Sequence, residues 1–158
     1  AMVGEAKVRG IPDLKAALSS IPAKLRKRAL RNALAAGARL IRDEARRHAP
    51  VLSASARAPF RTPGLVRKSI VVRTSKIARR AGDVGVFVNV RPARSGQRGA
   101  RSRTDPFYWR WLEFGKTGYV GRAFLQRGAR RLNDALQVFI DRIGPQIQKL
   151  NGGKDVQL

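Results

Sequence analysis

The spacing of apolar residues along the chain predicts two long amphipathic helices. Across residues 22–48, apolar side chains recur about every 3.6 positions, and arginine and lysine occupy the opposite face. Gly37 falls on the apolar stripe, where it could let another element pack closely. A second stripe starts at Ala123. Gly144-Pro145 is expected to break or kink that helix, because proline lacks the amide donor that a helix interior uses.

Between the helices, two segments have the composition of β-strands. Residues 65–73 and 84–90 carry valine and isoleucine at alternating positions, and residues 78–83 are predicted to form a turn between them. A short strand at 6–10 and a short helix from about 12 to 20 precede the first long helix. The strand pair is therefore expected to be an antiparallel hairpin.

This order of elements predicts an α+β fold, with a small antiparallel β-sheet packed against two long amphipathic helices. Residues 1–150 are expected to form a single domain, and residues 151–158 a C-terminal tail. The stretch 91–105 carries five arginines and no large apolar side chain, so it is predicted to be a mobile arginine-rich loop. Residues 51–64 are predicted to form a second loop.

Half of the aromatic residues lie in one short segment, 107–115. Such a cluster is expected to bury its apolar area in a core or against a partner. The spacing of Trp109, Trp111 and Phe114 does not fit one narrow helical stripe, so the three are predicted to divide between core and interface. Residues 115–121 are predicted to form a glycine-marked turn.

Two acidic residues flank or enter this segment. Asp105, followed by Pro106, is expected to cap a short helix that carries the aromatic cluster. Glu113 stands among cations beside side chains that should be buried. Because a buried carboxylate without a partner is costly, Glu113 is predicted to pair with an arginine, within the domain or across a subunit boundary.

The charge of the chain is far from balanced. Lysine and arginine number 34 against 10 aspartates and glutamates, which gives a formal net charge of +24. Such a charge favours an anionic partner, either nucleic-acid phosphates or acidic neighbouring proteins, although many charged runs are only solvated faces. No base-reading motif accompanies it, so any nucleic-acid contact should be independent of sequence. The candidate contacts are Arg79, Arg80, Arg91, Arg94, Arg98, Arg101 and Arg103.

Little in the sequence points to catalysis, a cofactor or a metal. The chain has no cysteine and one histidine, His48, while Asp43 and Glu44 are adjacent and point to different helix faces. Gly115-Lys116-Thr117-Gly118 lacks the full spacing of a phosphate-binding loop. We therefore expect no enzyme and no cofactor. No apolar run is long enough to span a membrane, so no membrane partner is expected.

Five short motifs, in order and spacing, resemble one protein family: the tail-completion or neck proteins of long-tailed phages, the Hong Kong-97-type tail-component group related to lambda minor tail protein Z. The resemblance covers roughly residues 6–140. The chain departs from the family pattern at Lys116, Ala123 and Gly128, and in an extra stretch at 52–61. The matching segments are Val8-Arg9-Gly10, Ala49-Pro50, Thr62-Pro63-Gly64-Leu65-Val66-Arg67-Lys68-Ser69-Ile70, Tyr108 to Glu113-Phe114-Gly115, and Ala123-Phe124-Leu125.

The resemblance implies a structural virion protein that is assembled in the host cytoplasm and forms a ring, a hexamer or a dodecamer, at the head–tail junction. Its implied partners are head-closure or connector, tail-terminator or tail-tube proteins, with genomic DNA in the lumen. The alternative from the charge alone is a free-standing, sequence-independent nucleic-acid-binding protein. The residues implied as interface or structural motif are Tyr108, Trp109, Trp111, Glu113, Phe114, Gly115, Phe124 and Leu125.

Overall fold

The computed structural model describes residues 11–53 and 58–150, so the predicted strand at 6–10 and the tail at 151–158 lie outside the described residues. Helices alternate with short strands, and the predicted α+β class is confirmed. The elements of the described residues are α1 (Ile11–Ser19), α2 (Ala23–His48), α3 (Leu65–Ser69), β1 (Ile70–Thr74), α4 (Lys76–Arg80), β2 (Val86–Val90), α5 (Trp109–Phe114), β3 (Gly115–Lys116), β4 (Tyr119–Val120), α6 (Phe124–Ala129) and α7 (Leu132–Leu150).

The described residues form two compact units. The first unit comprises residues 11–39, 74–87 and 132–150, and the second comprises residues 40–53, 58–73 and 88–131. Strands β1 and β2 pair in one two-stranded antiparallel sheet, and β3 and β4 pair in another. The expectation of a single domain over residues 1–150 stays a prediction.

Helices supply the core of the first unit. Leu18 and Ile21 from the α1 region pack with Ala33 of α2 and with Ile143 and Ile147 of α7. Ile143, Ile147 and Ala33 are all fully buried. The long helix predicted over residues 22–48 is confirmed, and its small alanines are more deeply buried than Leu25, which is 42% exposed.

Gly37 explains how closely α2 and α7 can approach within this unit. A Cβ atom added at Gly37 would collide with the backbone carbonyl oxygen of Ala135. Only a residue without a side chain allows this contact between backbones. The close packing that the sequence suggested at Gly37 is therefore present.

The second long helix differs from the prediction in where it is interrupted. It does not run from Ala123, because the chain turns between α6 and α7, where the amides of Arg130 and Arg131 bond to carbonyls three residues back. Helix α7 then continues through Pro145 rather than ending there. Ile143 and Ile147 lie on either side of the proline and are both fully buried, which holds the helix across the missing hydrogen bond.

The strand predicted over residues 65–73 is half wrong. Its first part is the short helix α3, and only the second part is strand β1. Gly64, with a left-handed φ of 73°, precedes α3, and its carbonyl accepts from the amide of Lys68. Val66 and Ile70 are both buried and are four residues apart, a spacing that also fits one face of a helix.

Two predicted turns also contain regular structure. Within residues 78–83, the chain is still helical as far as Arg80, because Ser75 caps α4 through an Oγ that accepts from the amide of Ala78 at 3.2 Å. Within residues 115–121, the strands β3 and β4 form a tight hairpin. The hairpin of β1 and β2 itself agrees with the sequence prediction, and strand β2 lies within the predicted range 84–90.

The core of the second unit joins the end of α2 to the sheet and to α6. Ala45, Val66, Ile70, Val90 and Phe124 are buried together, and Phe124 and Ile70 are fully inaccessible. Helix α6 approaches α2 closely, because a Cβ at Gly128 would lie 2.7 Å from the carbonyl oxygen of Ile41. The aromatic segment packs against this core.

Candidate functional site

The aromatic segment forms the short helix α5 and the turn before it, and its side chains separate by burial. Trp109 packs against the core of the second unit, together with Tyr108 and Leu112. Trp111 remains 45% exposed and Phe114 77% exposed. The prediction that these aromatic residues divide into buried and exposed side chains is confirmed. That the exposed ones contact a partner stays a prediction.

Glu113 on α5 is buried, with 5% of its surface exposed. Its Oε2 accepts a hydrogen bond from the amide of Leu125 at 2.8 Å, and its Oε1 accepts from the amide of Gln126 at 3.1 Å. These amides belong to the first turn of α6, whose early N–H groups have no partner inside the helix. The carboxylate therefore caps α6, where a negative charge is also favoured by the helix dipole.

This geometry corrects the partner predicted for Glu113. No arginine pairs with it among the described residues; the backbone amides of α6 take that place. A buried carboxylate needs compensation, and two amide donors supply it as well as a cation would. The structural role expected of Glu113 stands, and pairing across a subunit boundary stays a prediction.

Two backbone hydrogen bonds extend the same connection. The amide of Arg122 donates to the carbonyl of Leu112 at 2.7 Å, and the amide of Ala123 donates to the carbonyl of Glu113 at 3.0 Å. Together with the Glu113 carboxylate, they fix the start of α6 against the end of α5. Phe124, the first residue of α6, is thereby placed in the core with no exposed surface.

Gly115 sets the direction of the β3–β4 hairpin that follows α5. Its φ of 84° is left-handed, and a Cβ there would lie 2.7 Å from the carbonyl oxygen of Tyr119. Lys116 pairs with Tyr119 in the hairpin, so their side chains share one face. Val120, paired with Gly115, lies on the opposite face and is 86% exposed.

A cleft of about 550 Å³ opens in the second unit beside α5. Its walls come from residues 50–53 and 61–66, from α5 with the preceding Tyr108, and from the β3–β4 hairpin. Most of the lining is apolar, and no carboxylate contributes to it. Its two cations are Arg61 and Lys116.

Both cations of the cleft lie over aromatic rings. The guanidinium carbon of Arg61 is 4.9 Å from the centre of the Phe107 ring and 5.0 Å from that of Tyr108. The Lys116 ammonium is 5.0 Å from the centre of the Trp111 ring. Attraction to the ring faces holds these charges at the cleft while leaving them able to meet an anion.

Burial raises the pKa of the Tyr108 hydroxyl above its usual value of 10.0, and the nearby Arg61 charge lowers it by a smaller amount. Desolvation disfavours the phenolate, and a neighbouring cation favours it. Tyr108 is therefore a neutral hydroxyl in the cleft at physiological pH.

Asp105 organises the arginine-rich loop instead of capping a helix. It is 3% exposed; its Oδ1 accepts from the amide of Ala93 at 3.2 Å, and its Oδ2 accepts from the amide of Gly99 at 2.9 Å. Helix α5 begins three residues after Pro106, with no side-chain cap. The cap predicted at Asp105-Pro106 is wrong, because the carboxylate is turned toward the loop before it.

The loop is further tied to the segment that precedes α3. Arg61 donates to the carbonyl of Ala100 at 2.8 Å, and the Thr62 hydroxyl donates to the carbonyl of Arg103 at 2.8 Å. Composition predicted mobility for residues 91–105 because they contain no large apolar side chain, but these polar contacts do not depend on apolar area. The mobility of the loop stays a prediction.

The seven candidate arginines are all exposed. Five of them lie in the loop of the second unit: Arg91, Arg94, Arg98, Arg101 and Arg103. The other two, Arg79 and Arg80, form the end of α4 in the first unit. Other arginines are structural, since Arg46 donates to the carbonyl of Ile70 at 2.8 Å and Arg67 to that of Ala49 at 3.3 Å.

The residues considered for catalysis contact one another or neighbouring arginines. His48 Nε2 lies 3.0 Å from Glu44 Oε1, and Asp43 pairs with Arg42 at 2.8 Å. No group of three or more metal-ligating side chains occurs within residues 11–53 and 58–150. No helix in that part of the chain is long and apolar enough to cross a membrane.

Sequence reasoning missed two of the residues that shape this site. Arg61 was one arginine among many, and nothing local marked it as the residue that contacts both an aromatic pair and the loop. Asp105 was noticed but given the wrong partner. The signal for its true role was a single acid at the end of a stretch of arginines that also contains two glycines.

Comparison with known protein families gives a match over most of the chain. The sequence model of the family described as "Bacteriophage HK97-gp10, putative tail-component" matches residues 13–115, which is more than half of the chain. Neither the curated proteins nor the solved structures gave a significant match. The match ends at the Glu113-Phe114-Gly115 motif and contains three of the five motifs noted in the sequence; Val8-Arg9-Gly10 and Ala123-Phe124-Leu125 lie outside it. The chain therefore belongs to the bacteriophage HK97-gp10 tail-component family.

Proposed function

We propose that the protein is a structural subunit of a phage tail that assembles as a ring at the head–tail junction and completes the tail. Membership of the HK97-gp10 tail-component family carries this proposal. The family places the protein among phage tail components; the ring and the junction are our inference. A ring of six or twelve copies would match the rotational symmetry that the resemblance implies.

The surface of the chain is consistent with such a role. Phe114, which precedes Gly115, and Val120, which pairs with Gly115, are exposed apolar side chains, and a structural subunit can cover such groups in an assembly. The seven exposed candidate arginines offer contacts to anionic neighbours. With a net charge of +24, the subunit should be stabilised when acidic proteins or DNA surround it.

The proposal is tested by deleting the gene from the phage that encodes it and imaging the particles by electron microscopy. Full heads beside finished but unattached tails are expected, and supplying the protein in trans should restore joined virions. Normal virions after deletion would refute the proposal. Tails of abnormal length would place the subunit in the tail tube or its terminator instead of at the junction.

The alternative, sequence-independent binding of nucleic acid, is favoured by the exposed arginines of the 91–105 loop. If all five of those arginines contact duplex phosphates, replacing them with glutamine should flatten the slope of log affinity on log salt by about 4–5 units. Preference among DNA sequences should not change, because phosphate contacts carry no base information. A variant that binds DNA like the parent but fails to join heads to tails would assign the arginines to protein contacts.

A further inference from the structure

The cleft beside α5 combines two properties that fit one kind of ligand. Apolar side chains from three separate segments, including Leu65, Trp111 and Leu112, line it. Its volume of about 550 Å³ lies in the range typical of ligand-binding clefts, about 300–1,000 Å³. Trp111 is 45% exposed, so its ring is already accessible at the wall.

The charge of the cleft is entirely of one sign. Arg61 and Lys116 line it, and no acidic side chain does. Each cation is held near aromatic rings at 4.9–5.0 Å, and neither has a carboxylate partner among the described residues. A ligand with carboxylates next to a large apolar group would therefore match both features of the cleft.

A second copy of this chain fits the cleft poorly. It has few carboxylates to offer, because lysine and arginine number 34 against 10 aspartates and glutamates. Four of its described acids are already engaged internally, Asp43 and Glu44 in ion pairs and Asp105 and Glu113 in hydrogen bonds to backbone amides. Duplex DNA also fits poorly, because phosphates would meet the two cations while nothing would occupy the apolar lining.

We propose that this cleft binds an acidic segment of another protein, which inserts a large apolar side chain against Leu65, Trp111 and Leu112 and sets carboxylates beside Arg61 and Lys116. That the segment belongs to a neighbouring virion protein rests on the proposed function. The chemistry of the cleft does not depend on it.

The test measures binding of a short fluorescently labelled peptide of alternating aspartate and leucine to the purified chain, by anisotropy at physiological salt. A peptide of alternating aspartate and serine measures the attraction due to charge alone. The aspartate–leucine peptide is expected to bind at least about tenfold more tightly, a difference typical of one buried hot-spot side chain. Equal binding of the two peptides would overturn the proposal.

Matched variants locate the binding. Trp111→Ala and Lys116→Glu should each lower the affinity for the aspartate–leucine peptide by at least about tenfold. Phe114→Ala removes an exposed aromatic residue on the same helix, and Lys76→Glu makes the same charge change at a residue that does not line the cleft; both should bind within about twofold of the parent. Since Lys116 is exposed, its variant should keep the fold even if Trp111→Ala does not. Equal losses in the cleft and control variants would overturn the proposal.

Two further measurements test whether a second copy of the chain or duplex DNA occupies the cleft instead. If Trp111→Ala abolishes self-association in sedimentation experiments and leaves peptide affinity unchanged, the cleft belongs to a second copy and the proposal is wrong. If duplex DNA displaces the peptide from the parent and Lys116→Glu removes DNA binding, the cleft is a phosphate site and the proposal is wrong. Peptide binding is measured on the isolated chain, so its outcome is independent of whether gene deletion leaves heads unattached to tails.

Discussion

Replacing Glu113 with glutamine is the sharpest test of how the second unit is held together. The two side chains are nearly isosteric, so packing is preserved while the charge and one acceptor are lost. Glu113 is 5% exposed and accepts from the amides of Leu125 and Gln126 at 2.8 and 3.1 Å. In the variant, one of these amides faces an NH2 group, which cannot accept.

The expected loss follows from those two bonds. A hydrogen bond to a charged group contributes about 1.5–3 kcal/mol, and leaving a buried donor unsatisfied costs about 1–3 kcal/mol. With the second bond weakened by loss of the charge, Glu113→Gln should reduce the free energy of unfolding by about 2–4 kcal/mol. For a chain of this size that corresponds to a drop in melting temperature of roughly 5–15 °C.

Thermal and urea unfolding, followed by circular dichroism, measure the effect. Asp141→Asn is the matched control, because Asp141 is exposed and accepts a single bond from Gln137 at 2.9 Å. It should change stability by no more than about 0.5 kcal/mol. If Glu113→Gln has the same melting temperature as the parent, the carboxylate does not hold α6 in place. If changing one arginine to glutamine lowers the free energy of unfolding by as much as Glu113→Gln does, then Glu113 depends on that arginine, as the sequence predicted.

Three more outcomes follow from the structure. Asp105→Asn should speed amide exchange across residues 91–105, because the loop loses a charged acceptor; unchanged exchange would show that the loop is not held by Asp105. Gly37→Ala should destabilise the chain by about 1–2 kcal/mol in urea unfolding despite the better helix propensity of alanine, since its Cβ would strike a carbonyl; a more stable variant contradicts the close approach. Tyr108 should ionise above pH 10.0 in an absorbance titration, and Arg61→Gln should raise its pKa further. Because the unfolded chain ionises first, the stability contributed by the neutral hydroxyl is lost as pH rises above 10.0.

The helix with the longest apolar stripe could be predicted from the sequence. Helix α2 runs from Ala23 to His48, close to the predicted 22–48, because a stripe over seven turns outweighs local irregularity. The motifs that resemble phage tail-component proteins also belong to the sequence alone, and the family match confirms the family.

Short elements were harder, because local preference there is weaker than context. Residues 65–69 have the valine and leucine of a strand, yet they form α3 after the left-handed Gly64. Pro145 should end a helix by local rules, but two buried isoleucines carry α7 past it. In both cases packing against the rest of a unit decides the conformation.

The sequence by itself determined the charge, the first long helix and the segment that carries the aromatic residues. Only the tertiary structure decided which partner each buried acid takes. Glu113 and Asp105 both stand among arginines in the sequence, and both bind backbone amides in the fold. The reason is physical: the amides that these carboxylates bind lie where a helix begins and where a loop turns, and their positions depend on the folding of residues far along the chain. The cleft likewise arises from segments near residues 50, 65 and 111 that no pattern along the chain connects.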